Sequence, residues 1–107
     1  LPAAVVGATA HVDGHMLPLA GHYPMQTGRV QVGVRPDFAE LTGNGIPVRV
    51  DRIDDLGRLR LARVRLGPYP MVATVGPGAV FDGSEARLHI DPARTHVYAD
   101  DRLVAPL

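Results

Sequence analysis

Five histidines, a run of arginines and two adjacent aspartates are the residues of this 107-residue chain with the capacity for chemistry. His11 and His15 stand four apart, a spacing that on a helix would bring two imidazoles together on a metal ion. Asp13-Gly14 between them reads instead as a two-residue hairpin turn. In that register Val12 lies across from His15 and His11 across from Met16, so the two rings fall on opposite faces. His22, His89 and His96 have no ligand spacing. Asp54-Asp55 is a carboxylate pair, but neighbours in a strand or turn point apart, and paired acid–base work needs convergence. The glycines never form a phosphate-cradling loop followed by Lys-Ser/Thr and a helix. No catalytic group, metal site or bound cofactor is expected. The strand Arg58–Arg65, with arginine at 58, 60, 63 and 65, invites phosphate. Single-strand nucleic-acid recognition also wants aromatic stacking platforms, and this segment has none. A solvated face paired with Asp51, Asp54 and Asp55 is the preferred reading.

Composition sets wider bounds. The length suits one domain. There is no cysteine, hence neither a disulfide nor a thiolate metal site. All 11 basic residues are arginine and they balance 11 acidic ones. Neutrality speaks against a nucleic-acid footprint, which wants a basic excess. No apolar run approaches the ~20 residues needed to span a bilayer. The apolar start Leu1–Val6 lacks a basic leader and reads as a strand cut from a longer chain.

The elements that must carry these residues are strands. Twelve glycines and ten prolines leave few windows long enough for a helix. Val30, Val32 and Val34 alternate with Gln31 and Gly33; Ile46, Val48 and Val50 with Pro47 and Arg49; Ala86, Leu88 and Ile90 with Arg87 and His89. This is the strand-and-turn signature of a small barrel or sandwich. Two breaks in phase predict bulges or bends. One lies near Leu61-Ala62, between the odd positions Leu59 and Leu61 and the even positions Ala62, Val64 and Leu66. The other puts Ile53 out of step with Val50. Such bends let a short sheet close on itself. Turns are expected at Asp13-Gly14, Thr42–Gly45, Gly67–Pro70 and Pro77-Gly78, and one helical turn over Pro36–Leu41, with proline in the first position.

The ordered set Gly33-Val34-Arg35-Pro36-Asp37, Leu56-Gly57, Asp91-Pro92 and His96-Val97-Tyr98-Ala99-Asp100 resembles the C-terminal regulatory domain of ATP-binding subunits from ABC importers. The importers are those of the sugar and glycerol-phosphate type. The likeness runs from about Gly28 to Asp100. Asp37 replaces the more usual glutamate and Tyr98 a common phenylalanine, and the first 28 residues match less clearly. The resemblance implies an all-β chain with a small OB-fold-like barrel of MOP/TOBE type over residues 29–100. An additional N-terminal hairpin region over 1–28 completes a single domain, 1–107, cut from the end of a longer ATPase subunit.

The resemblance implies a role in regulation and contact. The full subunit would hydrolyse ATP with magnesium in its absent ATPase domain, driving uptake of a carbohydrate, polyol or glycerol-phosphate-like solute. This part would be no enzyme. It would stabilise a homodimer through the same domain of a second subunit. It would also contact its own ATPase domain, the transporter's membrane subunits, and a regulatory protein or small ligand, with no nucleic acid among its partners. It would sit in the cytoplasm, peripheral to the inner face of the membrane. Arg35, Asp37, Asp91 and His96 are the candidate regulatory or ligand contacts, although Pro36 and Pro92 also give these segments a barrel-shaping role. The rival readings are a small oxyanion sensor of MOP type and, behind it, a nucleic-acid-binding OB barrel.

Overall fold

The computed structural model describes residues 1–107. In chain order the strands are β1 (Ala4–Val12), β2 (His15–Tyr23), β3 (Val30–Val34), β4 (Ala39–Thr42), β5 (Ile46–Asp55) and β6 (Arg60–Leu66). They continue as β7 (Tyr69–Val75), β8 (Phe81–Asp82), β9 (Glu85–Ile90), β10 (Thr95–Ala99) and β11 (Arg102–Val104). The only helical turns are two 3-10 turns, Pro36–Phe38 and Pro92–Arg94. The chain divides into two compact units, Arg35–Ile90 and Leu1–Val34 with Asp91–Leu107.

The unit Arg35–Ile90 is an OB-fold-like barrel. Its strands run in the order β4-β7-β6-β5-β9, and β9 pairs back to β4, which closes a ring; β8 adds to β9. All ring pairings are antiparallel except β4 with β7. Alternation decides what fills the ring. Ala62, Val64 and Leu66 of β6 point inward, as do Ala86, Leu88 and Ile90 of β9, Ala39 and Leu41 of β4, Val48 of β5 and Ala73 of β7. A small barrel needs large and small residues to share its interior. Here Ala62 sits directly opposite Ala73, and space remains for the fully buried Leu41, Leu66 and Leu88. Burying each leucine contributes about 1.5–3 kcal/mol.

Closure depends on one extra residue. β5 pairs Val50 with Val64 and then Arg52 with Arg63, so Asp51 is the bulged residue. This accounts for Ile53 being out of step with Val50. A bulge bends its strand and adds twist, and β5 uses the bend to serve β9 with its first half and β6 with its second. The second expected break, at Leu61-Ala62, is absent. β6 pairs without interruption from Arg60 to Leu66. Leu59 belongs to the turn before the strand and Leu61 simply faces outward, so no swap of faces occurs. The helical turn expected over Pro36–Leu41 stops at Phe38, because β4 begins at Ala39 and takes its hydrogen bonds from the ring.

The other unit holds two sheets. β1 and β2 form a hairpin whose turn, Asp13-Gly14, has φ of 47° and 79°, and whose register places Val12 opposite His15 and His11 opposite Met16 as the sequence predicts. Ala10, Val12, Leu17 and Leu19 supply its buried face. β3, β10 and β11 make a separate three-stranded sheet centred on β10. The N-terminal residues run beside β3, with Ala3 N–H donating to Val30 O at 3.0 Å and Val32 N–H to Leu1 O at 2.8 Å.

Candidate functional site

The four residues singled out from sequence are placed by proline-initiated turns. Pro36 holds Arg35 extended (φ −71°, ψ 149°) and ends β3; the Phe38 N–H then donates to Arg35 O at 2.9 Å. Arg35 and Asp37 are both exposed at this turn, and no ion pair joins them. Asp91 caps the second turn: its Oδ1 accepts from Ala93 N–H at 2.9 Å, and its carbonyl accepts from Thr95 Oγ1 at 2.8 Å. This is a side chain occupied with its own backbone, the usual work of an aspartate before a helical turn. His96 stands exposed on β10, opposite Gly33 of β3. Arg35 and Asp37 thus belong to the barrel unit, Asp91 and His96 to the other.

A more organised set of charges lies on the outer face of β5 and β6. Arg65 grips Asp51 with two hydrogen bonds, Nε to Oδ2 at 2.7 Å and a terminal nitrogen to Oδ1 at 2.8 Å. This fork matches a carboxylate in plane. Arg49 Nε approaches the same carboxylate at 3.9 Å. One turn of the pleat further on, Asp54 is shared by Arg52 Nε at 2.6 Å and Arg63 Nε at 3.5 Å. Asp51 shares the face of Arg49 by ordinary alternation; the bulge makes the second cluster possible, since it turns Arg52 and Asp54 outward opposite Arg63 and Leu61. The Arg65 hydrogen bond, aided by the charges of Arg65 and Arg49, holds the Asp51 carboxyl below its ordinary range, and Asp51 raises Arg65 in return. Arg58 and Arg60 flank the β5–β6 turn, where Asp55 Oδ1 accepts from Gly57 N–H at 2.9 Å and Gly57 takes φ of 87°.

Chemically this face neutralises itself. Each arginine of the two clusters has a carboxylate at hand, as the sequence reading of a solvated, acid-paired face anticipates. No group of three or more His, Cys, Asp or Glu side chains is placed to hold a metal ion, and no buried side-chain polar atom lacks a hydrogen-bond partner. Sequence reasoning named Ile53 only as a break in phase and Leu56 only as part of a turn; both are exposed near the β5–β6 turn. Ile53's slip out of phase with Val50 was the available signal. Comparison with known protein families finds none that matches this chain, and comparison with curated proteins finds no significant match.

Proposed function

We propose that this chain is the regulatory, dimer-stabilising C-terminal domain of an ATP-binding subunit from an ABC importer of a carbohydrate, polyol or glycerol-phosphate-like solute. One observation carries the reading. Three of the four motifs fall on turns at strand ends, two of them in the OB-fold-like barrel unit, while His96-Val97-Tyr98-Ala99-Asp100 runs along β10 and just past its end. Arg35-Pro36-Asp37 opens the turn before β4, Leu56-Gly57 makes the β5–β6 turn, and Asp91-Pro92 caps the turn after β9. Residues that recur for architectural reasons would be expected at such points. In this reading ATP and magnesium belong to a preceding ATPase domain. The partners are that domain, the same domain of a second subunit, the transporter's membrane subunits, and a regulatory protein or small ligand. The site of action is the cytoplasmic face of the membrane.

The test is the coding sequence upstream of Leu1. Walker motifs leading into this chain are the expected result, and a start codon immediately before Leu1 overturns the reading. Calorimetric titration with molybdate and sulfate is the second check: no saturable heat is expected, and tight binding would replace the proposal with an oxyanion sensor.

A further inference from the structure

The part of β5 beyond the bulge is paired on one side only. β9 accompanies β5 from Ile46 to Arg49, and Val50 N–H still reaches Ser84 O at 2.7 Å. From Arg52 to Asp55 the strand paired with β5 is β6 alone. Leu56 N–H donates to Leu59 O at 2.8 Å, which sets the alternation along this hairpin. In an antiparallel pair successive residues direct their backbone groups to opposite sides. Asp54 therefore bonds toward β6, while Ile53 and Asp55 aim N–H and C=O at the open side. A free edge of this kind is a template for another strand.

The side chains say which strand fits. Arg52 and Asp54 flank Ile53 and share the outer face, where their side chains meet at 2.6 Å. Read along the edge the triplet is cation, apolar, anion. Turned about a two-fold axis through Ile53, the same triplet presents its own complement. Arg52 then lies opposite Asp54 of the second copy, Asp54 opposite its Arg52, and Ile53 opposite Ile53. Ile53 is 40% exposed and Leu56 62% exposed, and both border an open groove of about 670 Å³ that Leu61 and Arg63 of β6 also line. Asp51, held on the outer face by Arg65, is kept away from the face that Asp55 shares with Ile53.

We propose that two copies of this chain pair antiparallel along the Arg52–Asp55 edges, with the two-fold axis at Ile53. The proposal rests on the dimer-stabilising role argued above and supplies its surface. The two Ile53 residues exchange a pair of backbone hydrogen bonds, and two cross-strand ion pairs fix the register. So short an edge buries well under the roughly 1,200 Å² of a stable interface. It works as an auxiliary contact, favoured when the subunits are already held together and the effective concentration is high.

The test is the chain itself, studied by ¹⁵N NMR and sedimentation equilibrium from tens of micromolar to millimolar. The expected result is weak dimerisation, with concentration-dependent amide shifts centred on Ile53, Asp55 and Leu56. Asp54→Arg and Arg52→Asp each place like charges opposite one another and weaken association about tenfold, while the double exchange restores it to within about threefold. Ile53→Lys puts two cations on the axis and abolishes the dimer independently, with dispersed amide spectra verifying that each variant folds. A chain monomeric at millimolar concentration, a dimer indifferent to the single reversals, or a double exchange no better than the singles would overturn edge pairing. None of these outcomes touches the ATPase-subunit reading, which stands or falls on the upstream sequence.

Discussion

At the scale of single residues, two kinds of constraint act and they can be told apart by substitution. The Asp51–Arg65 fork is electrostatic. Its folded-state carboxyl is lowered, so the contribution of the pair is present above the ordinary carboxylate value of about 3.9 and is lost as pH falls through the lowered one. An NMR titration of Asp51 should find its midpoint below that ordinary value, and Arg65→Gln should move it back up. Both side chains lie at the surface, so the effect on stability is small. The glycines are steric. Gly14 has φ of 79° with open space where a Cβ would stand, so Gly14→Ala costs only the left-handed backbone, about 1 kcal/mol. Gly45, at φ of 136°, would drive a Cβ onto the Leu88 carbonyl as well. Gly45→Ala should therefore cost about 2–4 kcal/mol, read by urea unfolding. Equal costs at the two sites would refute the close approach of the Gly45 backbone to β9.

At the scale of elements, the barrel hangs on its shortest members. β4 has four residues, yet it closes the ring by pairing with β9 on one side and β7 on the other. Thr74 Oγ1 donates to Ala39 O at 3.1 Å and Gly76 N–H to Leu41 O at 3.0 Å, which fastens this strand at both ends. Leu88 sits on β9 between β4 and β5, opposite Leu41 on one side and Ile46 on the other. Leu88→Ala should destabilise by about 2–5 kcal/mol. It should also speed amide exchange in β4 and β5 more than in the β6–β7 hairpin, whose pairing is local. Uniform acceleration across all five ring strands would mean that the closure has no weaker seam. The bulge at Asp51 was legible because an apolar residue on one strand fell out of step. The false signal at Leu61-Ala62 came from Leu59, which lies in the turn before a strand that starts at Arg60. A leucine in a turn carries no information about faces.

At the scale of the whole molecule, charge and edges govern association. The chain is formally neutral and its isoelectric point is near 7.2. Solubility should pass through a minimum near that pH and rise on either side, as measured by polyethylene glycol precipitation. A minimum well away from neutrality would show that the charges are not freely titrating. Neutrality also leaves little long-range repulsion between copies, which is the condition the proposed pairing of Arg52-Ile53-Asp54 edges requires.

The class of this protein and its local grammar were written in the order of its residues. Alternating apolar residues make strands because their side chains fall on one face. Asp13-Gly14 makes a hairpin because both turn positions need positive φ, and Pro36 ends a strand because it removes a donor and biases its neighbour. The Arg–Asp pairing on the outer barrel face was legible for the same reason, since opposite charges stood on adjoining strands. Which strands close the ring emerged from the folded chain alone. The parallel pairing of β4 with β7 and the return of β9 to β4 join segments distant in sequence, and no local pattern encodes such partners. Folding alone also set β3 and β10 into their own sheet, occupied Asp91 as a cap, and let β5 outrun β9 to leave Ile53 on an open edge. Each of these depends on where a strand stops relative to a neighbour folded from elsewhere in the chain, a quantity that exists only once the chain has closed on itself.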